Sequence, residues 1–181
     1  APSVCAPSVC APSVCAPSGP MLGRAPDGRG DAAMFHLAEE TEADWWEVEA
    51  LYDLCFAPGR EALSSYRLRD GVRPVAPLCL VLRDGGGIVV GADTLLLGPV
   101  AVHPTCQGEG LGGLLISESL AEARRLGWAR VLLVGDAPYY RRFGFEKREG
   151  VVMPPPTNPD RVLGLALQKG AWDGVAGSVT K

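Results

Sequence analysis

The chain has 181 residues with 17 Lys+Arg against 21 Asp+Glu, a formal charge of −4, and a mass of 19.0 kDa. One domain is the default at that length, and with 47% hydrophobic and 21% charged residues the ordered part can bury a core. The mild acidity argues against nucleic acid as a partner, which needs a basic face to displace counterions from phosphates. The longest weakly polar stretch, Gly85 to Val102, carries Asp93 and Pro99 among its glycines and does not read as a membrane span.

Residues 1–20 repeat APSVC three times and close with APSGP. Proline at every fifth position blocks helix and ladder alike, and no large apolar side chain anchors the segment, so residues 1–33 read as a disordered low-complexity tail. A thiol-bearing tail and an upstream stretch translated in error, with Met21 or Met34 as the start, both stay open. The folded domain is expected over 34–181. Cys5, Cys10 and Cys15 sit in the tail, and Cys55, Cys79 and Cys106 are scattered through the rest. With no CxxC pair and two histidines, no metal site is expected. Nothing in this usage calls for an oxidising compartment, and no cationic, apolar-cored leader opens the sequence, so a cytoplasmic protein is expected.

Order should begin with a strand over Met34–Glu39. Thr41 then stands as N-cap before Glu42, Ala43 and Asp44, and Trp45–Phe56 carries apolar residues at helical spacing until Pro58-Gly59. Trp45 and Trp46 read as core and helix-rim residues. A shorter helix follows over Arg60–Leu68, ended by Val72-Arg73-Pro74. Leu78–Arg83 reads as a buried strand, Asp84–Gly87 as a hairpin turn and Ile88–Ala92 as its partner. Thr94–Val102 is a further strand interrupted at Gly98-Pro99, where proline marks a bulge or a stop in pairing. After a glycine loop, Gly112, Leu115, Ile116, Ser119, Leu120, Ala123 and Leu126 recur at helical spacing along one apolar face, with Arg124 and Arg125 in the last turn and Gly127 as stop. A strand over Ala129–Val134, a short helix over Pro138–Phe143, a strand from Phe145 and a last strand over Arg161–Leu167 complete a mixed α/β order.

The strand–loop–helix junction carries the chemistry. Four glycines, Gly108, Gly110, Gly112 and Gly113, fall within six residues just where a helix starts. There they let a ligand approach the backbone, while free N–H groups and the helix dipole favour an anion such as a diphosphate. Gly108, Gly110 and Gly113 also satisfy GxGxxG, with Asp136 ending the next strand, which keeps a dinucleotide site in competition. Against it, His103–Gln107 intervene between strand and first glycine, Pro99 sits in the strand, and only 45 residues follow Asp136. A Walker loop is excluded, since no Gly-Lys-Ser/Thr follows.

Gln107-Gly108-Glu109-Gly110-Leu111-Gly112 fits the Q/R-x-x-G-x-G/A signature of the GCN5-related N-acetyltransferases, preceded by a strand ending Val100-Ala101-Val102-His103-Pro104. Tyr139-Tyr140-Arg141-Arg142-Phe143-Gly144-Phe145 resembles that family's aromatic-Tyr-x-x-x-Gly-Phe element. The runs Leu95–Val102 and Leu133–Tyr140 look like its YhbS-like branch. The resemblance spans roughly Met34 to the C-terminus. It implies an α/β fold with a mixed, mostly antiparallel central sheet, splayed between its fourth and fifth strands and flanked by helices.

The resemblance further implies acetyl-CoA as co-substrate, no metal, a small-molecule or peptide amine acceptor, and a monomer or homodimer. Backbone groups of Val100, Ala101 and Val102 would meet the pantetheine arm. The loop Gln107, Gly108, Glu109, Gly110, Leu111, Gly112 and Gly113 would hold the pyrophosphate, with the Gln107 side chain fixing the turn. The amine would attack the thioester directly. Tyr140 is the candidate general acid, since a phenol of ordinary pKa ~10 can protonate a departing thiolate when held in place. Tyr139 and Phe143 read as packing aromatics. Asp136 and His103 are alternative bases, Asp93 being too far along the strand. One departure stands out: Ile88–Ala92 spans only ~17 Å and meets the next strand after Asp93, shorter than the family's pattern. That leaves two rivals, a non-catalytic acyl-CoA binder and a small dinucleotide-binding oxidoreductase.

Overall fold

The computed structural model describes residues 21–22, 34–56, 59–69, 71–93 and 99–180. Strands β1 (Met21–Leu22), β2 (Phe35–Glu39), β3 (Leu80–Arg83), β4 (Val89–Asp93) and β5 (Ala101–Val102) form one antiparallel sheet in chain order. Its register runs from Met21 opposite His36 through Glu39 opposite Leu80 and Leu80 opposite Asp93 to Ala92 opposite Ala101. A second antiparallel sheet has β6 (Arg130–Val134) and β7 (Glu146–Lys147) on either side of β9 (Val162–Ala166). A parallel pair joins β8 (Val151–Val152) to β10 (Gly177–Ser178). Among the described residues no ladder joins β5 to β6, so the sheet is split there. This is the splay expected between the fourth and fifth strands, shifted by one in number because Met21–Leu22 adds a strand at the edge.

Several expectations change. Part of the stretch read as a tail, Met21–Leu22, pairs with β2; the rest of 1–33 lies outside the described residues. The strand expected over Thr94–Val102 is present as Ala101–Val102, preceded by Pro99 and Val100 without a ladder, while 94–98, with Gly98, falls outside the described residues. The helix expected from Arg60 starts as a 3-10 turn, Arg60–Ala62, and continues as α2 (Ser64–Arg69). The strand over Arg161–Leu167 is not the last, since β10 follows.

Helix α1 (Trp45–Phe56) begins on a local cap. The Asp44 carboxylate accepts from the Thr41 N–H at 2.9 Å and from its hydroxyl at 3.0 Å, while its other oxygen takes the Arg83 guanidinium from β3. Val48, Leu51 and Tyr52 are then buried on Val81, Val89, Ala92 and Ala101. Trp45 and Trp46, expected in the core and rim, are instead 49% and 75% exposed and stack edge to face with each other; the burying face of α1 starts at Val48. Arg60, buried, reaches Glu49 at 2.6 Å and Asp53 at 2.9 Å and donates to the Tyr66 hydroxyl at 3.0 Å, fastening α2 to α1.

Helix α3 (Leu111–Arg125) has the periodic face read from the sequence, but that face meets both sheets. Leu111 and Leu115 are buried with Phe35, Leu80, Leu82 and Val90, whereas Ile116 and Leu120 are buried with Leu133, Phe145, Leu163 and Leu165. Leu126, expected on this face, is the cap and is 39% exposed. Gly91 gives the helix its close approach: a Cβ there would stand 3.1 Å from Leu115.

Asp44→Ala removes the cap of α1 and the Nη2 partner of Arg83, which keeps the Gly87 carbonyl and Glu47, so urea unfolding should show a loss of about 1–3 kcal/mol. Trp46→Ala should stay within about 0.5 kcal/mol of the parent.

Candidate functional site

The residues after β5 are shaped by side chains that close on their own backbone. Pro104–Cys106 form a 3-10 turn capped by His103, whose Nδ1 accepts from the Thr105 N–H at 3.3 Å and lies 2.7 Å from its hydroxyl. Gln107 folds back and donates from Nε2 to the Val102 carbonyl at 3.1 Å, the turn-fixing role expected of it. Gly108 and Gly110 then take φ of 86° and 84°, left-handed values that a Cβ would strain, and Gly110 caps α3. Gly112 and Gly113 occupy the first helical turn without side chains, so the N–H end of the helix is open to one side.

A cleft of about 450 Å³ lies on that side. The far wall comes from the segment after β6, where α4 (Ala137–Tyr140) and a 3-10 turn, Arg141–Phe143, carry an aromatic cluster. Tyr140 stacks edge to face on Tyr139 and Phe145. Its ring occupies the space where a Gly135 side chain would be, a Cβ there falling 2.3 Å from Cε2. The Tyr139 hydroxyl comes to 3.1 Å from where a Gly112 Cβ would stand, and the Arg142 guanidinium lies 3.9 Å from the Tyr139 ring centroid. The two walls thus face each other across the N-terminus of α3.

Of the residues expected to hold a cofactor, Val100, Val102, Gln107, Gly108, Gly110, Leu111, Gly112 and Gly113 line this cleft together, and Tyr140 joins them from α4. Ala101 does not, because strand alternation turns it into the core under α1, where it is 2% exposed. Glu109 is exposed and outside the lining. The Val102 carbonyl, expected to be open, accepts from Gln107 and from the Cys55 thiol at 3.4 Å. Asp136 and His103 are both absent from the lining: Asp136 is exposed at the cap of α4, and the His103 ring is engaged by Thr105. Tyr139, expected as a packing aromatic, lines the cleft as well, together with Cys106 and Arg142, for which the sequence reading gives no role. For Arg142 the available signal was its i+3 spacing from Tyr139 on a short helix.

Chemically, the cleft combines an anion-favouring helix start, a guanidinium and two phenols. Among the described residues no carboxylate lines it and no group of three His, Cys, Asp or Glu is placed to hold a metal. No described helix is long and apolar enough to cross a membrane.

The acetyltransferase (GNAT) domain model matches residues 76–147, which include both walls of the cleft. A crystal structure of a GNAT family acetyltransferase from Brucella melitensis, in complex with acetyl-CoA, is 30% identical and covers 81% of this chain and 95% of its own, with a TM-score of 0.61. The chain belongs to the GCN5-related N-acetyltransferase family. Another GNAT structure, Escherichia coli YhbS in complex with CoA, is 26% identical with a TM-score of 0.71, covering 84% of this chain and 92% of that one. In sequence alone, YhbS, an uncharacterized N-acetyltransferase, is 34% identical over 113 residues, 55% of this chain and 66% of its own length. Escherichia coli YjhQ, named likewise, is 44% identical over 55 residues, 30% of each. The chain therefore spans less than two thirds of the curated GNAT relatives it matches.

The orientation of the thiols gives a direct check on this GNAT cleft. Burial pushes the Cys55 thiol above its ordinary range, against the smaller opposing effect of its bond to Val102, so it stays protonated and slow to alkylate as pH rises through that range. In peptide mapping after iodoacetamide treatment at pH 8, Cys106 should be modified well before Cys55 and the buried Cys79. Faster labelling of Cys55 would contradict the arrangement.

Proposed function

We propose that this chain is an N-acetyltransferase that binds acetyl-CoA in the 450 Å³ cleft and transfers the acetyl group to a primary amine, on a small molecule or a peptide, by direct attack. We take residues 34–181 as the catalytic domain and the cytoplasm as its place of action. The observation that carries the reading is the meeting of a glycine-lined helix start with an aromatic wall at the unpaired edge of β5. The Brucella melitensis structure with acetyl-CoA and the YhbS structure with CoA support it.

The residues present fit such a molecule. Side chains are missing where a diphosphate would need room, at Gly108, Gly110, Gly112 and Gly113, and the N–H groups there would hold it, with Arg142 adding charge. Val100 offers backbone beyond the β5 ladder for an extended amide chain. Bound there, acetyl-CoA supplies its acyl group as a thioester, which an uncharged amine can attack without a covalent enzyme intermediate. In the balance, a C–N bond forms, the C–S bond breaks, the amine gives up one proton and the sulfur gains one. Tyr140 is the group we assign to deliver that last proton; its ring is held by Gly135 and Phe145, which limits the geometries it can adopt. The amine's proton leaves through water in this reading, Asp136 and His103 lying off the cleft lining.

Tyr140→Phe should lower kcat by a factor of about 10² or more while leaving the CoA dissociation constant within about threefold, because the ring packing is kept. An unchanged kcat across pH removes the assignment. Gly112→Val, which sets a branched side chain against the Tyr139 hydroxyl, should abolish CoA binding in calorimetry. Tight binding of acetyl-CoA with no turnover across an amine panel would favour a non-catalytic acyl-CoA binder. Thermal protection by NAD rather than CoA would favour the dinucleotide reading.

A further inference from the structure

A second and larger cavity, of about 1230 Å³, opens at the other end of β6. The carboxyl end of β6 leads through Gly135 and Asp136 into the aromatic wall of the first cleft, whereas its amino end, Arg130 to Leu132, lines the second cavity. The two linings share no residue, and β6 is the strand whose ends lead to both. The second is bounded on its far side by α2 and the segment after it, and by the chain's last described residues.

The charge in this cavity runs against the charge of the chain. The whole sequence is acidic, at −4, yet the described lining holds four arginines, Arg67, Arg69, Arg73 and Arg130, against one carboxylate, Glu61. The ion pairs among the described residues use Arg60, Arg83, Arg125, Lys147 and Arg148, and none of the four. Arg67 and Arg130 donate instead to carbonyl oxygens, of Pro155 at 3.3 Å and of Ala171 at 2.6 Å, which carry no net charge. Arg69 lies over the Tyr66 ring and feels Glu40 through space, the two without a hydrogen bond between them. Four guanidiniums around a cavity with one carboxylate among them suit a ligand that brings acceptors and negative charge. Most of the rest of the wall is apolar, with Trp128, Trp172, Leu132 and Val179 beside Tyr66, Ser178 and Thr180, and so suits an apolar body.

We propose that this cavity seats the acyl acceptor, and that the acceptor is an amphipathic amine whose apolar body carries a carboxylate. The assignment rests on the acetyltransferase reading above and narrows it to a substrate class. The cavity's arginines take the carboxylate, and the apolar wall takes the body. The amino group is left to extend along β6 toward the aromatic wall.

The test titrates two matched pairs into the full chain saturated with CoA: 4-(aminomethyl)benzoate against its methyl ester, and phenylalanine against phenylalaninamide. The pairs share a body and differ in charge and in the reach from amine to carboxylate. In at least one pair the carboxylate should bind about tenfold tighter than its neutral partner, the effect of charge-assisted hydrogen bonds. That preference should fall to about twofold or less in Arg67→Gln/Arg73→Gln, and invert in Arg73→Glu. These two arginines are exposed and form no ion pair among the described residues, so the fold should tolerate the changes. CoA affinity should stay within about twofold, since both lie outside its cleft. Equal binding within both pairs overturns the proposal, as does no binding of any probe, or a preference that survives both variants. Failure of CoA itself to bind instead overturns the acetyltransferase reading, and the probe preference is then still measured on the chain alone.

Discussion

Leu115 and Ile116 are neighbours on α3, yet the first is buried among Leu82 and Val90 and the second among Leu133 and Leu163. One helix is thereby held by two sheets that do not pair with each other. Each such side chain is worth about 1.5–3 kcal/mol of burial, and the helix can make both sets of contacts only while the sheets keep their separation. Closing the ladder between β5 and β6 would draw the clusters together and misalign the helix on at least one of them. The open edge is thus maintained by packing on the opposite face. Everything at the cleft inherits from it, because the glycine loop and the aromatic wall arrive from the two strands that α3 keeps apart.

Within that frame the local chemistry is mostly about what is missing. Gly91 lets the helix sit low on the sheet, and Gly112 and Gly113 leave its first turn bare. The polar side chains nearby are turned inward to fix backbone: Gln107 onto Val102, His103 onto Thr105. Both hold backbone shape, Gln107 while also lining the cleft, and His103, one residue past β5, outside the lining. The polar side chains on the opposite wall are the two phenols and Arg142.

What could be read from the sequence was whatever is encoded over a few neighbouring residues. The periodic face of α3, the Gly112–Gly113 start and the Thr41–Asp44 cap are of this kind, and each was found within a residue or two. The family-wide pattern around Gln107 and Tyr140 supplied the split sheet, with Pro99 as the local cue that pairing stops. Ala101 was within reach too, since period-two alternation turns it away from Val100 and Val102. Other features depend on tertiary partners. The two-residue strands Val151–Val152 and Gly177–Ser178 have no length over which alternation could show. Trp45 and Trp46 are apolar by type, but the turn of α1 that meets the sheet begins after them. The larger cavity gathers short runs spread between residues 61 and 180, which only the fold brings together.

The packing of Tyr140 on Gly135 has one more consequence. The phenyl face lies where a methyl group would otherwise project from position 135, so the two sites share one volume and cannot be altered independently. Evolution along this lineage would have to move them in concert: a bulkier residue at 135 becomes admissible only once the ring at 140 has been traded for something smaller. Such a chain would have given up, in the exchange, the phenol to which we assign the proton transfer, so its steric tolerance at a residue outside the cleft lining would report on a change within it.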